Sequence, residues 1–117
     1  TRTLALLGAD IIAHPSNLVL PYCQKAMITR CLENGVFAVT ANRIGREVRG
    51  DDDFSFTGSS QITNVNGDVL LKGEDNDIAV GMVTIDPASA RTKRLNPHNH
   101  KTDDRRPDFY QKLTELS

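Results

Sequence analysis

Two cysteines, Cys23 and Cys31, and the nearby His14 could carry out nucleophilic chemistry in this 117-residue chain. A thiolate attacks acyl carbons, and Cys23 lies near the predicted start of a helix, where the pKa of a thiol is lowered. Met27 lies midway between the two cysteines, however, and this spacing is typical of the buried stripe of a helix. We therefore predict that both thiols pack in the core and that neither is a nucleophile.

The cysteine positions also bear on the redox environment. On one helix the two residues are about 12 Å apart along the axis, beyond the roughly 7 Å Cα separation that a disulfide spans. Free thiols are typical of a reducing compartment, which favours a cytoplasmic location. No apolar run approaches the roughly 20 residues that span a bilayer. With 14 Lys and Arg against 15 Asp and Glu, the net charge is -1, so the sequence favours neither a membrane nor a nucleic-acid partner.

Polar side chains follow two predicted strands at the points where the strands end. The first strand is Ala9 to Ala13, which Pro15 is expected to end, because proline cannot continue a hydrogen-bonded ladder. The second is Val36 to Ala41, whose two apolar faces predict a central strand covered on both sides. If the strands are parallel, their ends open on the same side of the sheet, next to His14, Ser16, Asn17, Asn42 and Arg43.

Three other clusters could bind ions, but each has a plainer interpretation. Asp51 to Asp53 lack EF-hand spacing, so we predict a solvated turn in a charged loop, Arg46 to Ser55. His98-Asn99-His100 resembles a metal clip or a nuclease signature, but it lacks a third ligand and a supporting ββα frame, so a solvated tail is favoured over a metal site. The basic C-terminal third could bind phosphate, but interleaved acids favour ion pairs or subunit contacts for Arg91, Lys93, Arg94, Lys101, Arg105 and Arg106.

Helices flank the first strand. The opening residues carry a Leu4 and Leu7 stripe that Gly8 ends, as in the last turns of a helix already under way. A second helix is predicted from about Tyr22 to Asn34, with Gln24 facing water and Gly35 supplying the left-handed residue that closes the helix. The absent initiator methionine and the missing helix start lead us to expect the C-terminal part of a longer chain.

A β meander and a tail follow. Asn66-Gly67 predicts a hairpin between Ser59 to Val65 and Asp68 to Lys72, and a third antiparallel strand is expected at Ile78 to Ile85. Asp86 and Pro87 should begin a short helix, Ala88 to Leu95, before an extended surface tail, residues 96–117. The fold class is therefore α/β with a mixed sheet, as a single partial domain over residues 1–117. Its helices cover one face, and the other face needs a covering that these elements do not supply.

Four segments in order resemble the carbon-nitrogen hydrolase (nitrilase) superfamily: RTLALLGADIIAHPSN, RCLENGVFAVTANRIG, FTGSSQI with NGDVL after it, and DDRRPDFY. The resemblance implies the C-terminal half of a four-layer αββα sandwich in a dimer or larger oligomer. It further implies a cysteine nucleophile, a glutamate base and a lysine that stabilises the tetrahedral intermediate, all located before Thr1, and no cofactor. On this alignment the chain alone is expected to be inactive, and its partners are the missing N-terminal half and a small amide, carbamoyl or nitrile substrate.

The same resemblance assigns roles to the strand-end residues. The loop with His14, Ser16 and Asn17 matches the family's strand end beside the nucleophile, and Asn17 is the strongest candidate for a substrate contact because an amide both donates and accepts. A loop-capping Asn17 that bonds its own backbone remains an open alternative. A structural network between the helix end and the strand end is expected for Arg30, Glu33, Asn42 and Arg43. The rival to the hydrolase interpretation is a non-catalytic binding or assembly module built on the same half-fold.

Overall fold

The computed structural model describes residues 1–115, so Leu116, expected among the apolar tail residues, lies outside the described residues. A four-stranded mixed sheet forms the centre, in the order β1 (Ile11–Ser16), β2 (Phe37–Asn42), β5 (Gln61–Thr63) and β6 (Val69–Lys72). Two helices, α1 (Arg2–Leu6) and α2 (Cys23–Asn34), pack on one face. The predicted α/β class and the central place of β2 are confirmed.

The core lies between α2 and the sheet. Gly35 adopts φ 58° and ends α2, as predicted, and the chain turns directly into β2. The predicted packing of Met27 and Cys31 is confirmed, since they are 2% and 0% exposed. In α1 the buried residue is Ala5, whereas the Leu4 and Leu7 side chains expected to form the apolar stripe are exposed, so this expectation was wrong about which face packs.

The opposite face of the sheet is open and apolar. Ile11 and Val39 are 42% and 40% exposed, and Ala13 and Ala41 beside them are also exposed. Phe37, on the same face of β2 as Val39, is 4% exposed, so the expectation that β2 is covered on both sides holds at the start of the strand and fails at Val39 and Ala41 within residues 1–115. The shortest dimension of the molecule is 18 Å, so the described part of the chain is a thin slab with one uncovered sheet surface.

Strand β1 continues through Pro15, contrary to the expectation that it ends at Ala13. The Asp10 and Ser16 carbonyls accept hydrogen bonds from the backbone N–H groups of Phe37 and Arg43, so even-numbered residues of β1 bond to β2. Pro15, with an odd number, places its nitrogen on the free outer edge. An edge strand tolerates proline there because no ladder bond is lost.

The charged segment Arg46 to Ser55 is a hairpin rather than a loop. Strands β3 (Arg46–Arg49) and β4 (Asp52–Ser55) pair in antiparallel register, and the Arg46 guanidinium bridges to the Asp53 carboxylate across the strands. Gly50, at φ 59°, permits the tight reversal. Opposite charges that face each other across the strands stabilise this pairing. The high charge of the segment had led us to predict a solvated loop instead.

The hairpin predicted around Asn66-Gly67 is confirmed, but the third strand predicted from Ile78 to Ile85 is not formed. The Asn64 side-chain oxygen accepts from the backbone N–H groups of Asn66 and Asp68 and closes the β5–β6 turn. Beyond β6, the Glu74 carbonyl accepts from the Ser59 N–H, which draws the chain toward the loop before β5 and away from the free edge of β6. Ile78, Val80 and Met82 are consequently about nine-tenths exposed in an unpaired segment (88%, 96% and 90%).

The helix predicted from Ala88 to Leu95 is a single 3-10 turn, Pro87–Ala90. The Asp86 carboxylate accepts from the Ala88 N–H, as a capping residue should. The chain then forms a small hairpin, β7 (Arg94–Asn96) with β8 (Asn99–His100), and two further 3-10 turns, Pro107–Phe109 and Gln111–Leu113.

The C-terminal segment is pinned to the end of α2 by two lysines. The Lys93 ammonium donates to the Asn34 and Gly35 carbonyls (2.9 and 2.7 Å), and that of Lys101 donates to the Leu32 carbonyl (2.5 Å). Cations here stabilise the unpaired carbonyls of the last turn of α2. Among the described helices, none has the length and apolar character needed to cross a bilayer.

Candidate functional site

Parallel strands bring two polar strand ends together at one edge of the sheet, as predicted. Ser16 of β1 is in register with Asn42 of β2, and the Arg43 N–H donates to the Ser16 carbonyl at 3.1 Å. The loop after β4 closes over the same edge, because the Gly58 N–H donates to the Arg43 carbonyl at 3.0 Å. We call this group, residues 16–18, 42–43 and 57–58, the strand-end cluster.

Asn42 holds the strand-end cluster together. Its side-chain oxygen accepts from the Leu18 N–H at 2.8 Å, while its amide nitrogen donates to Thr57 Oγ1 at 3.0 Å and to the Gly58 carbonyl at 2.7 Å. Three separate segments of the chain therefore meet on one half-buried carboxamide. Each of these bonds involves a group fixed in the fold, which makes Asn42 a rigid part of the site.

Asn17 lies in the middle of a clamped loop. Leu18, on one side, is held at its N–H by Asn42 and at its carbonyl by the Thr57 N–H and Oγ1 (2.8 and 3.0 Å). Ser16, on the other side, is held at its carbonyl by Arg43. The bonds that fix the loop thus come from Asn42 and Thr57, while the Asn17 side chain is exposed and projects from a defined backbone position.

His14 and Ser16 are turned toward the helix-covered face of the sheet. The His14 Nδ1 lies 3.1 Å from Thr40 Oγ1, and the Ser16 hydroxyl donates to the His14 carbonyl at 3.0 Å. Desolvation, followed by the positive charge of Arg30, lowers the pKa of His14 below its usual value of 6.5. His14 is therefore a neutral imidazole at neutral pH.

The lowered pKa of His14 predicts a pH-dependent stability. Below pH 6.5 the unfolded chain takes up a proton that the folded chain does not, so the folded state loses stability as the pH falls from 6.5 toward the lower folded-state pKa. We expect the urea midpoint of the wild-type protein to fall more between pH 7.5 and pH 5.5 than that of His14→Gln. Equal falls in the two proteins would contradict this assignment.

The expected structural network has different partners from those predicted. Glu33 pairs with Arg2 at 3.3 Å, and Asn34 donates to the Arg30 carbonyl (2.7 Å) and to a Glu33 carboxylate oxygen (3.2 Å), so Arg30 and Glu33 are linked through Asn34.

Arg43 also lies away from the Asn42 amide. Its guanidinium pairs with Glu47 at 2.5 Å and covers the Phe56 ring at 4.3 Å. This pairing, together with the Arg49 charge, lowers the pKa of the Glu47 carboxyl. Arg43 therefore anchors the β3–β4 hairpin at the edge of the strand-end cluster.

A cavity of about 600 Å³ opens beside the strand-end cluster on the helix side. It is bounded by α2, by the loop before β5 and by β6; neither this cavity nor a second one of about 420 Å³ near Gly35 is lined by His14, Ser16 or Asn17. Gln24, expected to face water, is 7% exposed and lines the larger cavity, so that expectation was wrong. The missed signal is its spacing: Gln24 precedes Met27 and Cys31 by one and two helical turns on the buried stripe.

The two thiols and the histidines of the tail are the other groups that the sequence singled out for chemistry. Cys31 is fully buried and desolvation raises its pKa to about 11, while Cys23 is half-buried and both thiols are free. The His100 Nδ1 lies 3.2 Å from an Asp103 carboxylate oxygen in the tail, but no group of three or more His, Cys, Asp or Glu residues within the described 115 positions could hold a metal ion.

Comparison with known proteins shows what the fold resembles. Residues 1–95 match the family model described as carbon-nitrogen hydrolase. The chain is 47% identical over 109 residues to a nitrilase of Pyrococcus abyssi, and the match covers 93% of this chain and 40% of that protein. It is 27% identical over 129 residues to N-carbamoylputrescine amidase of Arabidopsis thaliana, and this match covers 98% of this chain and 42% of that protein. The crystal structure of a carbon-nitrogen hydrolase from Helicobacter pylori superposes with a TM-score of 0.72 at 25% identity, over 97% of this chain and 44% of that one. The chain thus spans about two-fifths of the length of these relatives.

Proposed function

Because the chain belongs to the carbon-nitrogen hydrolase family, we propose that the whole protein hydrolyses a non-peptide carbon-nitrogen bond in a small amide, N-carbamoyl compound or nitrile. The observation that carries the proposal is the family match over residues 1–95, a stretch that includes the complete strand-end cluster. The printed names of two relatives, a nitrilase and an N-carbamoylputrescine amidase, support this range of substrates.

The nucleophile, the base and the oxyanion-stabilising cation of this reaction are, on our proposal, a cysteine, a glutamate and a lysine that precede Thr1. The thiolate forms a covalent acyl-enzyme, the carboxylate transfers protons, and the ammonium stabilises the developing oxyanion. The two cysteines of the described part fit a packing role instead, since burial raises the pKa of Cys31 to about 11 and disfavours its thiolate.

The strand-end cluster serves as one wall of the substrate pocket. Asn17 is exposed on a backbone clamped at Ser16 and Leu18, and this geometry suits a side chain that must meet a polar substrate group at a fixed distance. Its carboxamide can donate to a substrate carbonyl and accept from a substrate N–H. Asn42 holds this wall rigid through its hydrogen bonds to Leu18, Thr57 and Gly58.

The open face of the sheet is, on the same proposal, covered by the N-terminal half of the protein. Ile11, Ala13, Val39 and Ala41 form a continuous apolar surface on neighbouring strands, and an uncovered sheet face of this kind is stabilised by packing against a second layer. Closing the layers would also bring the catalytic residues to the strand ends. Assembly of whole subunits into a homo-oligomer in the cytoplasm belongs to this proposal as well.

The test is hydrolysis by the full-length protein. We expect release of ammonia from at least one of a panel that contains a short primary amide such as acetamide, an N-carbamoyl amine and an aliphatic nitrile. A folded full-length protein that releases no ammonia from any of the three classes would contradict the proposal and favour a non-catalytic binding or assembly module.

The pocket role of Asn17 predicts a kinetic change without a loss of stability. In the full-length protein we expect Asn17→Ala to raise KM about tenfold, because it removes a polar substrate contact of the kind that contributes about 1.4 kcal/mol. The exposed Asn76, in the segment after β6, provides the matched control Asn76→Ala. An unchanged KM for Asn17→Ala would contradict the pocket role.

A further inference from the structure

Gln24 uses only one end of its buried carboxamide. The Nε2 group donates to Thr57 Oγ1 at 2.9 Å and to the Gly58 carbonyl at 3.1 Å. The Oε1 atom is buried and has no hydrogen-bond partner within the part of the chain that the structure describes. Because the Gly58 carbonyl can only accept, the end of the carboxamide that faces it must be the nitrogen.

The two acceptors of Gln24 lead directly to the loop that carries Asn17. Thr57 Oγ1, which accepts from Gln24, donates to the Leu18 carbonyl at 3.0 Å. The Asn42 amide nitrogen donates to the same two oxygen atoms as Gln24, those of Thr57 and Gly58. Two consecutive hydrogen bonds therefore connect the buried face of α2 to the residue next to Asn17.

Only one end of the Gln24 carboxamide, the Nε2 group, forms hydrogen bonds that can contribute to stability. The Oε1 atom accepts from no protein donor within the described residues, so the contribution of this side chain to stability comes from the two bonds that Nε2 makes. A methionine of similar length would keep the packing of the buried stripe and remove these two bonds, while the Asn42 amide would still donate to the same two oxygen atoms, so we expect little net change in stability. The side chain is therefore better explained by what its donors position than by what they stabilise.

We infer that Gln24 is a positioning residue for the substrate pocket: its Nε2 group fixes the Thr57–Gly58 turn, and this turn fixes the loop from which Asn17 meets the substrate. The inference rests on the proposed function, since it requires Asn17 to line the pocket. Gln24 itself contacts no substrate atom in this account. Gln61 helps to hold Gln24 in place, because its Nε2 group donates to the Gln24 backbone carbonyl at 2.9 Å.

The test is Gln24→Met in the full-length protein, assayed on whichever of the amide, N-carbamoyl amine and nitrile probes the unaltered protein hydrolyses. We expect KM to rise about tenfold, because the displaced Asn17 loop contacts the substrate less well. We expect kcat to change less than about threefold, because this loop does not contact the reacting atoms. The unfolding midpoint should stay within about 2 °C of the unaltered protein. Gln111→Met makes the same substitution at an exposed position in the tail and should leave KM, kcat and the unfolding midpoint unchanged.

A second variant, Gln24→Glu, provides a pH readout. At neutral pH a carboxylate would face the Gly58 carbonyl, and two acceptors repel each other, whereas a protonated carboxyl group restores one donor. We therefore expect the KM of Gln24→Glu, relative to that of the unaltered protein at the same pH, to fall as the pH is lowered. A purely structural role for the side chain does not predict this recovery in the folded population.

The outcomes separate the inference from the function on which it rests. An unaltered protein that hydrolyses none of the probes overturns both. A hydrolysing protein whose Gln24→Met variant keeps its KM overturns the inference alone. So does a fall of more than about 10 °C in the unfolding midpoint of Gln24→Met, because such a fall would make Gln24 a structural residue.

Discussion

Gly58→Ala is expected to lower the free energy of unfolding by about 3 kcal/mol, the largest stability loss among the single substitutions considered for this chain. A Cβ at Gly58 would overlap the Asp75 carbonyl group, coming within 2.6 Å of its carbon and 2.8 Å of the Asp75 Cα. Both are backbone atoms, which cannot swing aside as the end of a side chain can. Gly58 also has φ 53°, a conformation that is costly for alanine.

Gly50→Ala separates the two causes. Gly50 has a similar φ of 59°, but a Cβ there would meet nothing within 4 Å. We expect this variant to lose about 1 kcal/mol, from the backbone conformation alone. Denaturant unfolding of both variants measures the difference, and equal losses would show that the close approach of Gly58 to Asp75 has no energetic consequence.

The consequences of Gly58→Ala should extend to the pocket. Gly58 supplies the carbonyl shared by Gln24 and Asn42 and lies next to Thr57, which holds Leu18. Displacing this turn removes the support of the Asn17 loop, so the remaining folded protein should bind its substrate more weakly. Gly50→Ala, in the turn of the exposed β3–β4 hairpin, should leave KM unchanged.

The second large effect concerns catalysis. We expect residues 1–117, produced alone, to release no ammonia from an amide, an N-carbamoyl amine or a nitrile that the full-length protein hydrolyses. The proposed Glu, Lys and Cys are absent from this stretch, and losing a nucleophile and its oxyanion donors removes several orders of magnitude in rate. Activity should return when the preceding residues are coexpressed with residues 1–117.

Activity of residues 1–117 alone would count decisively against this arrangement. To exclude a contaminating enzyme, the same preparation carrying Cys23→Ser or Cys31→Ser serves as the control. If the activity of the short chain disappeared with either substitution while the variant kept the circular dichroism spectrum of the unaltered chain, the nucleophile would lie among the described residues after all.

Local sequence signals predicted the elements that position the site. Gly35 ends α2 because its left-handed conformation costs glycine little, and Asn66-Gly67 closes the β5–β6 hairpin through the side chain of Asn64. The apolar run from Val36 placed β2 at the centre of the sheet. These features depend on residues close to one another in the chain, which is why the sequence reveals them.

The features that were missed depend on distant contacts. The spacing of Gln24 from Met27 and Cys31 could have predicted its burial, but not its partners, which lie in the Thr57–Gly58 turn more than thirty positions later. The predicted helix after Asp86 stops early, where Lys93 reaches back to the end of α2. The segment from Ile78 to Ile85 has strand-like composition, but the bond between Ser59 and Glu74 leads the chain away from β6. Composition and periodicity carry no information about such partners.

The candidate site divides in the same way. The resemblance of the strand-end sequences pointed to Asn17 and Asn42, but the direction of each Asn42 bond and the contribution of Thr57 became visible only in three dimensions. His14 and Ser16 lie in β1 just before Asn17, but they face the helix-covered side, where His14 contacts Thr40 and the Ser16 hydroxyl donates to a backbone carbonyl. Asn17 is therefore the exposed one of the three, and the proposed function assigns the substrate contact to it.

The most direct measurement is to trap the acyl-enzyme of the full-length protein with a slowly released amide probe and to locate the adduct by peptide mass mapping. We expect an adduct on a cysteine outside residues 1–117, with unmodified peptides containing Cys23 and Cys31. An adduct on Cys23 or Cys31 would contradict it.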